Sequence, residues 1–390
     1  MIDYASHSSA FNRHAIAIVA GEPSGDLLGS LLIGALQSGR ADLEFFGIAG
    51  PRMQALGARS LHPMDTLSVR GYIEALANLR AILAIRKNLK QHLLRNPPGV
   101  FIGVDAPDFN LSLEFDLRQA GIPTVHFVSP SIWAWRPERI EKIRRAVSHM
   151  LLIFPFEEEI YRKAGIPATY VGHPLAHALP QTPDPAAARV RLGLEPSGEY
   201  LGLLPGSRES EINSLADLFV RTAVRLARER PGVRFLAPLV KDTHRELFQR
   251  LLKTHDAADL PIHFYRGQAH DVLQAADVAL IASGTATLEA LLLDCPHVIT
   301  YRVPWLTYKL MQRRACISKV GLPNILAGRD IVPERIQEQA NPEQLTAALL
   351  DLLGNPAARL TMRSEFAPIR ASLRRDTPAA IAGALAPFLS

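Results

Sequence analysis

Ser283-Gly284-Thr285-Ala286-Thr287-Leu288-Glu289 follows the apolar run Asp277-Val278-Ala279-Leu280-Ile281-Ala282 and opens into Leu288-Glu289-Ala290-Leu291-Leu292-Leu293. An apolar run that stops at small residues and resumes with helical character predicts a strand, a tight turn and a helix. The first N–H groups of such a helix have no partner of their own, so the turn suits an anion such as a diphosphate. Ser283, Gly284, Thr285, Ala286 and Thr287 would line it, with hydroxyl donors from Thr285 and Thr287. Glu289, just inside the helix, could accept from ribose hydroxyls. The plainer alternative is a Ser/Thr-rich helix cap in an α/β domain.

A second strand–turn–helix unit lies upstream. Leu201-Gly202-Leu203-Leu204 runs into Pro205-Gly206-Ser207-Arg208-Glu209-Ser210-Glu211-Ile212 and then an amphipathic stretch through Arg230. Arg208, beside Ser207, could neutralise a pyrophosphate with its planar fork of donors. The alternative is an exposed loop arginine paired with Glu209 or Glu211.

Short apolar runs alternate with helical patterns over most of the chain. Strands are expected at 14–20, 99–104, 123–128, 149–154, 200–204, 233–237, 262–265, 278–282 and 297–301. This alternation predicts an α/β protein with parallel, doubly wound sheets. The pattern restarts near residue 200 after a proline-rich stretch that includes Pro174, Pro180, Pro183 and Pro185. Two Rossmann-like domains in series are therefore expected, with ligands in the cleft at the carboxyl ends of their strands.

Three motifs of the first half follow expected strands. In Ala20-Gly21-Glu22-Pro23-Ser24-Gly25-Asp26, the glycines permit a tight turn, Ser24 or Asp26 could cap a helix, and Glu22 would project into the cleft. This is not G-x-G-x-x-G, so a dinucleotide fingerprint is absent. Gly103-Val104-Asp105-Ala106-Pro107-Asp108-Phe109-Asn110 places two carboxylates at a strand end, where such folds put chemistry. Helix-cap or turn roles are the alternative for both aspartates. Ser129-Pro130-Ser131-Ile132-Trp133-Ala134-Trp135-Arg136 offers two tryptophans and an arginine as a wall for a bulky ligand, or as packing. A helix is expected from Val69 to Lys90, with Ile73, Leu76, Leu79, Ile82, Leu83 and Ile85 apolar and Arg70, Arg80, Arg86, Lys87 and Lys90 basic. Such a helix could pack as core or rest in a membrane interface.

Composition narrows the classes. The chain has 390 residues, long for one core, and 48% hydrophobic with 21% charged residues marks a globular protein. The net charge of +5 suits an anionic partner, but the basic residues are dispersed among acidic ones and no nucleic-acid motif is visible, so nucleic acid is not expected. Cys295 and Cys316 do not make a metal-ligand spacing and read as structural thiols of a reducing compartment. No signal peptide and no membrane-spanning run are expected, and no metal cluster or cofactor is called for.

Taken together, the ordered motifs AGEPSGDLLG, GVDAPDFN, VSPSIWAWRPERI, YVGHPLAH, LPGSRESEI, SGTATLE and KVGLPNILAG resemble the lipid-A-disaccharide synthase family from about residue 14 to the C-terminal region. One departure is Pro23, where a small residue is expected. The resemblance implies a GT-B glycosyltransferase, with an acceptor-side domain at 1–175, a UDP-sugar domain at 176–357 and a helical segment at 358–390 returning to the first domain. It implies transfer from UDP-2,3-diacylglucosamine to 2,3-diacylglucosamine 1-phosphate (lipid X). The setting implied is the cytoplasmic face of a Gram-negative inner membrane, with peripheral attachment and a homodimer as one candidate assembly.

Within that reading Asp105 is the first choice of general base, with Asp108 and Glu22 as fallbacks. Arg208, Ser207, the 283–287 turn, Glu289 and Asn324 would hold UDP. Ser24, Gly25, Trp133, Trp135 and the helix residues Ile73, Leu76, Leu79, Ile82 and Leu83 would meet acceptor or lipid. A UDP-N-acetylglucosamine 2-epimerase, another lipid-linked glycosyltransferase and a non-catalytic binding module are the alternatives.

Overall fold

A computed structural model describes residues 12–67, 72–303, 308 and 319–389. Its first sheet contains β1 (Asn12–Ala20), β2 (Glu44–Ile48), β3 (Arg59–Ser60), β4 (Pro98–Val104), β5 (Thr124–Phe127), β6 (His149–Leu152) and β7 (Ala168–Tyr170). Their order is β3-β2-β1-β4-β5-β6-β7. The second sheet contains β8 (Glu199–Leu204), β9 (Val233–Leu239), β10 (Ile262–Arg266), β11 (Val278–Ala282), β12 (His297–Tyr301) and β13 (Glu334–Ile336), in the order β10-β9-β8-β11-β12-β13. The strands pair in parallel throughout both.

The sequence dictates this arrangement through burial. Every residue of β4 and of β11 is buried, so neither strand has a solvent face. Strands apolar on both faces need helices above and below, which parallel crossovers supply. In each sheet the chain winds one way from its first strand, then returns to wind the other way. The reversal falls between β1 and β4 in the first sheet and between β8 and β11 in the second. At such a switch point the loops at the carboxyl ends diverge and leave a crevice.

The chain divides into two compact units, one running to His177 and resuming at Leu373, the other spanning Ala178–Ser372. The helix Pro356–Leu373 belongs almost wholly to the second unit, so the return to the first comes later than residue 358. Phe366 is fully buried there against the His297 ring, 5.7 Å between centroids, and Arg363 and Arg370 both reach Asp294. The last helix, Thr377–Leu389, packs in the first unit, where Ile381 and Leu385, one turn apart, are fully buried in its core. Just ahead of it, Arg375 donates to the Tyr170 carbonyl of the same unit at 2.7 Å.

The helix expected at 69–90 is observed as Tyr72–Arg95. Leu89 and Leu93 are fully buried in the first unit, and Ile82 and Ile85 pack partly buried against the same core. Leu79 and Leu83, one turn apart, remain 46% and 42% exposed. The side chains of Ile73 and Leu76, and residues Val69, Arg70 and Cys316, lie outside the described residues. Among the described residues, no helix is long and apolar enough to cross a membrane.

Candidate active site

The turns after β1 and β4 lie against each other. A Cβ placed on Gly21 would come 2.9 Å from that of Ala106. Glu22 is exposed at the start of the helix Pro23–Gln37, in extended conformation and without a capping hydrogen bond from its side chain. Pro23 occupies the first turn, where its missing N–H costs nothing, so the departure from the family pattern leaves the turn intact. Ser24 is exposed beside it. Gly25 is buried, and a Cβ there would press on Ala20 and the Val104 carbonyl, so its bare Cα serves close packing. Asp26 does not cap its own helix: it is buried and accepts from the backbone N–H groups of Arg52 and Met53, 2.9 and 3.1 Å away, at the start of another helix.

Asp105 and Ala106 both adopt left-handed backbone conformations, with φ of 52° and 45°. Each such non-glycine residue costs roughly 1–2 kcal/mol, so the surroundings must hold the turn. The Asp105 N–H donates to the Phe127 carbonyl at 2.9 Å, and its carbonyl accepts from Asn110 Nδ2 at 2.8 Å. The residue sits half-buried just past the end of a strand buried at every position. Asp108 differs in kind. Its side chain is 83% exposed and paired with Arg139 at 2.9 Å in the first turn of the helix Pro107–Gln119.

The two tryptophans also separate. Trp133 donates its indole N–H to Glu157 Oε1 at 3.0 Å and sets its edge on Phe154 and Phe156. It anchors the loop from inside. Glu157 takes a second donor, the Phe154 N–H, and burial pushes its carboxyl up to about 7 despite these bonds. His173, beside Phe154, is lowered to about 4 by burial. Trp135 is 46% exposed, with the Arg136 guanidinium 4.4 Å above its ring. Of the pair, only Trp135 presents a broad surface.

In the second unit β8 delivers the turn Pro205–Arg208. Gly206 has φ of 110°, a conformation that favours glycine, and a side chain there would meet Glu211. Glu211 accepts from the N–H groups of Ser207 and Arg208, both at 3.3 Å, and faces the Arg208 guanidinium at 3.4 Å. The carboxylate thus stands in for an anion on these amides. Arg208 is nonetheless 81% exposed, and such a surface pair is worth little against a doubly charged ligand.

β11 delivers the 283–287 turn. The space over Gly284 is open, and Thr285 is exposed at the start of the helix Thr285–Leu292, with Ala286 half-buried behind it. The other two hydroxyls are committed: Ser283 donates to the Val320 carbonyl at 2.9 Å, and Thr287, fully buried, to that of Gly284 at 2.8 Å. Their expected ligand contacts reduce to main-chain groups. Glu289 is held 3.4 Å from His270 Nε2, and that bond raises the imidazole above its ordinary range.

Asn324 corrects the sequence expectation. It is fully buried, donates to the Val332 carbonyl and Glu334, and accepts from the N–H groups of Ile331 and Val332. All four of its hydrogen-bonding valences are spent on the protein, leaving none for a nucleotide. Sequence reasoning missed Glu157, His173, Asn110, Glu114 and His126, whose buried partners come from other elements. For Glu114 and His126 the only local signal is a polar residue between apolar neighbours, and Glu157 is masked as the first of three consecutive glutamates. Among the described residues, no group of three or more His, Cys, Asp or Glu is placed to hold a metal ion.

With this geometry in hand, known proteins give a consistent comparison. A family model described as lipid-A-disaccharide synthetase matches residues 16–377. A lipid-A-disaccharide synthase from Methylobacillus flagellatus is 51% identical over 374 residues, covering 96% of this chain and 99% of its own length. One from Thiobacillus denitrificans is 50% identical over 372 residues, covering 95% and 99%. Among solved structures, a putative UDP-N-acetylglucosamine 2-epimerase from Listeria monocytogenes matches with a TM-score of 0.62 at 13% identity, covering 95% of this chain and 94% of that one. Anabaena HepE in complex with UDP and glucose matches with a TM-score of 0.57 at 13% identity, covering 96% and 98%. These two likenesses are of fold alone.

Proposed function

The chain belongs to the lipid-A-disaccharide synthase family, an enzyme family of GT-B fold, and we propose that it joins UDP-2,3-diacylglucosamine to lipid X, giving the β(1→6)-linked disaccharide 1-phosphate and UDP. Passage from an α-linked donor to a β-linked product inverts the anomeric carbon, so one displacement is enough. The acceptor 6-hydroxyl is a poor nucleophile and needs a base within hydrogen-bond reach. Asp105 takes that role, with Glu22 in the adjoining turn as the second candidate. Asp108, solvated and ion-paired, is the weakest of the three.

As the glycosidic bond breaks, negative charge gathers on the departing diphosphate. Arg208 and the N–H groups of the 283–287 turn are the donors that meet it. Glu289, steadied by His270, accepts from the ribose. These groups can carry the charge without a metal ion. The apolar chains of both substrates lie near Leu79, Leu83 and Trp135, and the same surface rests peripherally on the inner membrane. One observation carries the reading: Glu22, Asp105, Arg208 and the 283–287 turn occupy the loops after β1, β4, β8 and β11, the strands flanking the two switch points.

The assignment predicts a double dissociation. Asp105→Asn lowers turnover by about 10²–10⁴-fold while leaving UDP affinity within about threefold. Arg208→Ala weakens UDP binding about tenfold, roughly 1.4 kcal/mol. Steady-state kinetics with calorimetric UDP titration measures both. Near-normal turnover in the first variant, or unchanged affinity in the second, removes that residue from its role.

A further inference from the structure

Beneath the Asp105 turn lies a buried polar column that the roles above do not use. Asn110, Glu114 and His126 are all fully buried. Asn110 and Glu114 sit one turn apart on the helix Pro107–Gln119, and His126 lies on β5, in register with Gly103 of β4. Glu114 Oε1 and His126 Nδ1 are 2.7 Å apart. Gly103 makes the column possible: a Cβ there would collide with Glu114 Oε1 and press on the Asn110 side chain. Burial pushes the Glu114 carboxyl above its usual range, and the adjacent His126 pulls it back.

At the top of the column, Asn110 Nδ2 reaches the carbonyls of Asp105 at 2.8 Å and Val19 at 3.4 Å. Two carbonyl acceptors at one end fix the orientation of the amide. The same side chain therefore grips the strained turn after β4 and the end of β1, just before Glu22. A buried carboxylate–imidazole pair is a poor way to gain stability, since an apolar pair of similar volume often does as well or better. Its place directly under the turn gives it another use.

We propose that Asn110 is a positioning residue for the Asp105 carboxylate, held over Gly103 by packing beside the Glu114–His126 pair, with which it shares no hydrogen bond. The inference rests on the reading of Asp105 as general base. Asn110 holds the left-handed turn through the Asp105 carbonyl and so aims the carboxylate at the acceptor hydroxyl.

Four variants test it, with Asp105→Asn assayed alongside and the Ala106→Gly protein as the reference for the first. Asn110→Ala, made in an Ala106→Gly background that relieves the left-handed strain, should lose about 30- to 100-fold in kcat with the KM for UDP-sugar within about threefold. Glu114→Leu/His126→Leu should unfold at or above the parent temperature yet lose at least about tenfold in kcat. Glu114→Gln, which can still bond His126, should recover most of the kcat lost by Glu114→Leu. Parent-like kcat in folded Asn110→Ala or in the double-leucine protein overturns the proposal, as does failure of both to fold, which would make the column structural only. If Asp105→Asn itself keeps turnover, the base assignment has failed. Normal Asn110 variants beside an inactive Asp105→Asn sink the positioning role alone.

Discussion

Glu157 shows how much a single buried side chain can change the behaviour of its surroundings. Its carboxyl, usually near 4.5, is raised to about 7 by burial. Below pH 4.5 the group is protonated in folded and unfolded chains alike. Between 4.5 and 7 the unfolded chain gives up the proton first, so stability falls with rising pH, by roughly 3 kcal/mol in all. Glu157→Gln removes this slope. Urea unfolding from pH 4.5 to 8 should show the variant gaining on the parent as pH rises, and the comparison cancels the opposite slopes of the buried histidines His173 and His297. Parallel profiles would contradict the assignment. At this scale the sequence was legible in part. Asp105, Arg208 and Thr285 stand where their motifs put them. The spent side chains of Asn324, Thr287, Ser283 and Trp133 could not be recognised, because what they bond is settled by folding. Ser283 meets Val320 and Trp133 meets Glu157 only once separate elements pack.

Burial accounts for only part of what was legible in the elements: β10 was expected although none of its residues is fully enclosed, whereas the well-buried β2 was not. β4 and β11 announce themselves as unbroken apolar runs, and β8 is apolar from Tyr200 on. β3 with two residues, β7 and β13 with three, lie at sheet edges and carry part-buried positions, so nothing in their composition separates them from loops. β2 was missed as well, a short run that closes on Gly47-Ile48. The helix Tyr72–Arg95 mixes two environments: Leu89 and Leu93 enter the core, while Leu79 and Leu83 stay exposed near Arg80 and Lys87. Two half-exposed leucines beside cations suit an anionic membrane interface. Covering the remaining leucine surface is worth about 1 kcal/mol for each residue. Leu79→Ser/Leu83→Ser should therefore weaken sedimentation with anionic phospholipid vesicles about tenfold or more, with little change in folding. Undiminished binding, or no binding by the parent protein, would contradict the proposed membrane contact of these leucines.

The whole molecule repeats one plan. Each unit places its motif loops after the two strands that flank its switch point, so the fold itself accounts for why the decisive residues come from four well-separated stretches of sequence. Solved structures at 12–15% identity share that plan while bearing several different names, and the plan therefore does not choose the reaction. The choice comes from the groups set in the loops and from relatives of half-identical sequence. The most direct measurement is mass spectrometry of products after incubating the purified protein with UDP-2,3-diacylglucosamine and lipid X in detergent micelles without added metal. The account predicts disaccharide 1-phosphate and UDP in equal amounts. UDP released without disaccharide, or no product from a protein that still binds the UDP-sugar, would contradict it.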